Sequence, residues 1–248
     1  MLSVLIPTYN YNAFELVNEL HKQLLKSEVL FEIICIDDGS KSTLNQQNEK
    51  INDLPHARFN ALKNNIGRSA IRNYLSEKAT YSWLLFLDSD VLPASPLFIP
   101  NYLNQIQHKT GAVFCGGIRY LASDENKKLL RYKYGIKFEE INVDKRKKRP
   151  YKFFFTANFL IDKALFHKIR FEEKLVKYGR EDLLFSLTLK AEDFPIIHLE
   201  NEVYHLGIDA DAAFVSKTKQ AMENIAFLAD TNLILPKEGN LLKTVYYL

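Results

Sequence analysis

Hydrophobic and polar positions follow an alternating rhythm over the first hundred residues. Strand-like segments fall at 3–6, 32–36, 58–62 and 83–87, carrying apolar runs such as VLI, IICI and WLLFL. Runs of that length suit strands buried on both faces. Between them, the segment 13–26 sets Phe14, Leu16, Val17, Leu20, Leu24 and Leu25 on one helical stripe, and 43–52 and 67–78 are also predicted to be helical. Strand and helix in alternation predict an α/β fold, a mainly parallel central sheet flanked by helices.

After Pro100 the rhythm loosens. The pattern predicts a helix over 101–109, a strand over 112–119, an apolar run over 153–161, a helix opening near Glu181 and a strand over 195–199. A last amphipathic helix is expected over 216–229, where Ala221, Met222, Ile225, Phe227, Leu228 and Ala229 recur. No internal repeat, low-complexity segment or Pro/Gly/Ser linker divides the chain. The organisation expected is one domain in two halves, 1–100 and 101–215, followed by a helical tail over 216–248.

In open parallel sheets, ligands collect beyond the carboxyl ends of the strands. Those ends here carry Pro7-Thr8-Tyr9-Asn10, Asp37-Asp38-Gly39-Ser40 and Asp88-Ser89-Asp90. Residues i and i+2 of an extended segment project to one side, roughly 6–7 Å apart. Two ionised carboxylates so placed repel unless a cation lies between them. A divalent ion, Mg²⁺ or Mn²⁺, together with a ligand's phosphates relieves that repulsion. A pair of solvated turn acids is the alternative.

Composition narrows the classes. The 248 residues are 47% hydrophobic, enough for a substantial core. The two cysteines, Cys35 and Cys115, sit inside apolar runs as buried thiols rather than as a disulfide framework. The N-terminal LSVLIP does not resemble a signal peptide, and no apolar run approaches the roughly 20 residues needed to span a bilayer. These features suit a cytoplasmic protein, soluble or at most peripheral to the inner face of a membrane. The net charge of +3 hides an asymmetry: residues 127–152 hold eleven Lys or Arg against three acids, so this tract carries +8 and the remainder −5. A solvated loop is one reading of the tract. Attraction to anionic lipid or to a lipid-diphosphate acceptor is a second. Nucleic-acid binding ranks last, because no nucleic-acid motif accompanies the charge.

Five ordered motifs, VLIPTYN (4–10), IICIDDGS (33–40), NNIGRSAIRN (64–73), FLDSD (86–90) and YGREDLLFSL (178–187), together resemble the family 2 glycosyltransferases with a GT-A fold. The resemblance spans about the first 205 residues. It implies a nucleoside-diphosphate sugar donor, a UDP-sugar in the first place, a divalent metal, Mn²⁺ or Mg²⁺, and inversion at the anomeric carbon. The acceptor it implies is a glycan or lipid-linked hydroxyl, as in polysaccharide biosynthesis. Pro7 and Tyr9 would border the nucleobase and Asp38 would accept a hydrogen bond from it, although Asp37 and Asp38 could equally cap a turn. Arg68 and Arg72, one helical turn apart, could face phosphate or base, or simply solvent. The resemblance puts Asp88 near ribose and metal, and Asp90 on the ion.

Of the acidic pair, Asp182 is the expected base and Glu181 the second candidate, with first-turn acids favoured by the helix dipole as the alternative. Leu184 and Thr188 depart from the family's usual Asp and Arg on the acceptor side. His205, in VYHLG, resembles a C-terminal metal or diphosphate ligand, and a structural histidine is as good a reading. Asn158, after the phenylalanine run 153–155, is a candidate for the acceptor floor, although phenylalanines in a strand are more often core. A haloacid-dehalogenase-like phosphotransferase also ends an apolar strand in Asp-x-Asp, but its acidic pair follows that motif, whereas Asp37-Asp38 precedes it. A binding module of the same fold without turnover is the non-enzymatic alternative, and intact Asp88, Asp90 and Asp182 argue against it.

Overall fold

In the computed structural model, which describes residues 1–107, 111–231 and 233, the apolar runs become the parallel core of a seven-stranded sheet. In chain order the elements are β1 (Leu2–Thr8), α1 (Phe14–Leu25), β2 (Phe31–Asp37), α2 (Asn45–Asn48), β3 (Ala57–Ala61), α3 (Arg68–Lys78), β4 (Trp83–Leu87), β5 (Val91–Pro93) and α4 (Phe98–Ile106). There follow β6 (Val113–Cys115), β7 (Ile118–Tyr120), α5 (Leu130–Phe138), α6 (Val143–Lys148), β8 (Asn158–Asp162), α7 (Lys163–Ile169), α8 (Glu181–Ala191), β9 (Ile196–His198), β10 (Val203–His205) and α9 (Asp211–Asp230). The main sheet runs β3-β2-β1-β4-β8-β6-β9, parallel from β3 to β4, with β8 antiparallel to both its neighbours. A small second sheet, β5-β10-β7, lies beyond the end of β4.

Successive residues of a strand point to opposite faces. Accordingly Val4, Ile6, Ile33, Cys35, Leu85 and Leu87 join the core under α1 and α4, while Leu5, Ile34, Ile36, Leu84 and Phe86 join the core under α3 and α7. All five side chains of β4 are buried. Each such aliphatic side chain contributes roughly 2 kcal/mol of burial, so the acids beyond Leu87 leave from a rigid platform. The phenylalanine run joins this interior: Phe154 packs on Phe159 and Phe185, and Phe86 stacks on Phe159 with centroids 4.9 Å apart.

Several expectations change. The expected strand 112–119 is two strands in two sheets, because Gly117 takes φ 90°, a left-handed value that only glycine adopts freely. The apolar run 153–161 is a strand only from Asn158, after a 3₁₀ turn over Pro150–Phe153. The helix expected over 43–52 is the short α2 followed by a 3₁₀ turn over Glu49–Asp53, in an Asn-rich stretch with weak helical preference. The helix expected over 101–109 begins at Phe98, and its positions 108 and 109 lie outside the described residues, as do 232 and 234–248 of the tail. The basic tract is folded rather than a loop. It forms α5 and α6, with Arg131 and Arg146 buried against Glu139 and Glu202. Helix α9 starts at Asp211, five residues before the expected 216, and packs Ile225 and Leu228 on Leu175 and Leu184.

Candidate active site

The strand ends converge as the parallel topology requires. Asp38 follows β2, and its backbone N–H donates to Thr8 O (2.8 Å), which sets it beside the Pro7–Tyr9 turn. Tyr9 is exposed and its ring is open to a ligand. The Asp38 side chain is buried, and its oxygens accept from the backbone N–H groups of Ile66 (2.8 Å) and Gly67 (3.1 Å). Burial raises its carboxyl above the ordinary range, and those two donors pull it back. Asp38 therefore anchors the approach to α3, and Asp37 caps its own turn through the Ser40 N–H and hydroxyl.

Helix α3 projects Arg68 and Arg72 across the end of β4. The Arg72 Nη2 donates to Asp88 Oδ1 (2.6 Å) and to Thr156 Oγ1 (3.1 Å), and Nη1 lies 3.5 Å from Glu181 Oε1. The Arg68 Nε donates to the same Glu181 oxygen (2.9 Å), and Nη2 lies 3.8 Å from Asp88 Oδ2. Arg72 does not stand on a solvated face, being only 2% exposed, whereas the Arg68 side chain keeps 40% of its surface exposed while reaching both acids. Burial alone would raise the Asp88 and Glu181 carboxyls, but the two guanidinium groups outweigh it and hold both below the carboxylate range.

Asp182 meets the opposite environment. Burial, then the Glu181 charge beside it, push its carboxyl up to about 6, against the weaker pull of Arg180 and the Leu183 N–H. Two adjacent acids thus stand in opposite electrostatic settings: the arginines hold Glu181 low, and burial with the Glu181 charge raises Asp182. The loop before them is fixed from α9, where the Asn224 amide donates to Lys177 O (3.0 Å) and Gly179 O (2.6 Å).

Asp90 lies between the two sheets, immediately before β5. His205 pairs in register with Val91, and the Leu206 N–H donates to Asp90 O (2.8 Å). That pairing brings His205 Nε2 to 3.7 Å from Asp90 Oδ2. The imidazole stacks on Tyr120 (5.5 Å, 24°), whose hydroxyl donates to Glu139; Arg131 donates to the same Glu139 oxygen. Among the described residues the buried His205 Nδ1 has no hydrogen-bond partner. Gly207 closes the pocket, since a Cβ there would run into the Asp90 carboxylate. Among the described residues no three acidic, His or Cys side chains form a metal cluster. The donor set of Asp90 and His205, with Asp88 nearby in sequence, instead fits a cation held by few side chains. Its other positions are left for water and phosphate oxygens, as Mg²⁺ and Mn²⁺ prefer.

Asn158 is corrected outright. It is 1% exposed, accepts from the Tyr102 hydroxyl (2.6 Å) and donates to Gly117 O and Asn201 O. Its amide is consumed in tying β8 to the second sheet, so it offers nothing to an acceptor. Sequence reasoning did not single out Gly207, Tyr120, Glu139 or Arg180. For Gly207 a signal existed, a glycine two residues after the candidate histidine; for Tyr120 and Glu139 the partner is remote in sequence.

A model of the family described as Glycosyl transferase family 2 matches residues 3–170. TuaG of Bacillus subtilis (strain 168), a glycosyltransferase assigned to teichuronic acid biosynthesis, is 34% identical over 94 residues, 36% of this chain and 36% of TuaG. S. aureus TarS (residues 1–349) in complex with UDP-GlcNAc superimposes with TM-score 0.56 at 20% identity, covering 84% of this chain and 59% of that one. The mannosyltransferase PcManGT from Pyrobaculum calidifontis, in complex with GDP-Man and Mn²⁺, does so with TM-score 0.59 at 14% identity, covering 89% and 61%. The chain thus spans about a third of TuaG and under two thirds of these neighbours, and it shares the neighbours' fold.

Proposed function

The chain belongs to glycosyl transferase family 2, with the GT-A architecture of its structural neighbours, and we propose that it is an inverting glycosyltransferase of polysaccharide biosynthesis. The donor is a nucleoside-diphosphate sugar, a UDP-sugar first, and the acceptor a hydroxyl of a glycan or lipid-linked glycan. The observation that carries this reading is the convergence at the end of β4 of Asp88 and Glu181 on Arg68 and Arg72, with Asp182 next to the locked pair. Relatives solved with UDP-GlcNAc and with GDP-Man and Mn²⁺ support the donor class and the cation.

Asp182 accepts the proton of the acceptor hydroxyl, whose oxygen forms the new bond to the anomeric carbon from the face opposite the diphosphate. The bond between that carbon and the diphosphate oxygen breaks, and the electron pair leaves with the nucleoside diphosphate. Tyr9 and Pro7 border the base, and the spare lone pairs of Asp38 accept from it. Asp90 and His205 would hold the divalent ion, and Arg72 orients Asp88 at the end of β4. When bound, that ion offsets the charge gathered on the departing diphosphate. Burial and the Glu181 charge keep Asp182 basic, and Arg68 and Arg72 hold Glu181 in place.

Calorimetric titration with UDP and GDP, each with and without Mn²⁺, tests the donor site. Mn²⁺-dependent binding of UDP is expected, weakened roughly 10–100-fold by Asp90→Ala. Folded protein that binds neither nucleotide would contradict the reading, and undiminished Mn²⁺-dependent affinity in the variant would remove Asp90 from it.

A further inference from the structure

Arg180 stands directly before the acidic pair in an arrangement the donor site does not use. Its backbone is left-handed, with φ 74° and ψ 1°, a conformation that strains a side-chain-bearing residue and that concentrates at functional sites. The other arginines around the site are matched by acids: Arg68 and Arg72 by Asp88 and Glu181, Arg131 by Glu139, Arg146 by Glu202. Among the described residues Arg180 has no ion-pair or side-chain hydrogen-bond partner, and its Nε is buried with none. Leaving a buried charged donor unmatched is costly unless something outside the chain matches it.

Its place is two residues before Asp182, the proposed base. The charge of Arg180 acts on Asp182 and on Tyr134 of α5, whereas the cations acting most on Asp88 are Arg72 and Arg68. Tyr134 packs on Phe138 (4.9 Å) and Phe214 (5.5 Å) and keeps 40% of its surface exposed, an aromatic face within reach of the Arg180 charge. The exposed Lys127, Lys128, Lys133 and Lys137 continue the positive field along this side.

We propose that Arg180 binds an anionic group, a phosphate or a carboxylate, carried by the acceptor close to the hydroxyl that Asp182 activates. A guanidinium fork matches both anions in two-point contact, and the Tyr134 face lies beside the ring that bears the group. The inference rests on Asp182 being the base. An acceptor so bound is acidic, such as a uronic acid, a sugar phosphate or a lipid diphosphate.

Binding of glucose, glucuronate, glucose 6-phosphate and farnesyl diphosphate is measured by calorimetry on the UDP- and Mn²⁺-saturated protein, in wild type, Arg180→Gln and Arg180→Gly. The wild type is expected to hold at least one anion about tenfold more tightly than glucose. Both variants should lose that preference. Glycine accepts φ 74° without strain, so Arg180→Gly keeps its melting temperature and excludes misfolding as the cause. Tighter farnesyl diphosphate assigns the anion to a lipid diphosphate, and tighter glucuronate or glucose 6-phosphate assigns it to the glycan. Absence of preference in wild type, or its persistence in both variants, overturns the proposal. UDP binding in the same samples reports the donor reading separately, so the two can fail independently.

Discussion

At the end of β4 the charges are closed on one another: Asp88 and Glu181 share Arg68 and Arg72 through contacts of 2.6 to 3.8 Å. On either side of Glu181 in sequence the same chemistry is left open, with Asp182 held up at about 6 and Arg180 without an ion-pair partner among the described residues. The closed cluster fixes geometry and cannot take up a proton near neutral pH. The open one is strained at Arg180, and it is the part that the proposed mechanism gives to the acceptor. Residues adjacent in sequence, Arg180, Glu181 and Asp182, thus fall on two sides of a division of labour set by what reaches them from α3.

The largest effect expected from breaking this contrast is on turnover. Asp182→Asn should lower the rate of transfer roughly 10²–10⁴-fold, measured as nucleoside diphosphate released, with UDP affinity kept. Wild-type activity should rise with pH through about 6, because the base must be ionised. Next is Arg72→Leu, which leaves Asp88 and Glu181 buried with less cation between them. A loss of about 3–5 kcal/mol is expected, seen as a fall in melting temperature of roughly 10 °C for a chain of this size. Gly207→Ala replaces no charged residue but displaces the Asp90 carboxylate, so Mn²⁺-dependent UDP affinity should drop about tenfold with the melting temperature nearly unchanged.

The smallest effect carries a sign of its own. The folded-state pKa of Asp182 is raised from 3.8 to about 6, so its ionisation costs stability that is progressively lost as pH rises across that window. Glu181 is depressed, so its contribution is present above its unfolded value of about 4.5 and fades as pH falls. At pH 7 Asp182→Asn should therefore be the more stable protein, by on the order of 1 kcal/mol after solvent screening, while being the least active. A melting temperature lower than wild type would contradict that.

What the sequence made legible was local. Trp83–Leu87 followed by Asp88 and Asp90 declares a buried strand and its acidic end, because a short apolar run and its first polar residues are neighbours in the chain. Arg72 was not legible as a buried residue, because the carboxylates that make its burial tolerable lie 16 and 109 positions away. The same holds for Arg146, whose partners Leu199 and Glu202 are remote and whose setting, KRKKR, suggests solvent. Asn158 misled for the opposite reason: it sits in the expected region, but Tyr102 and two backbone carbonyls consume its amide. The pairing of His205 with Asp90 depends on the second sheet, which exists only because Gly116 and Gly117 divert the chain between β6 and β7.

The central claim is that Asp182 is a base poised by burial and by its locked neighbour, and a carbon-13 NMR titration of its side-chain carboxyl tests it without any acceptor. A midpoint near pH 6, falling when Glu181 is replaced by Gln, is the predicted result. A midpoint near the ordinary aspartate value of about 3.9, unmoved by Glu181→Gln, would contradict the account.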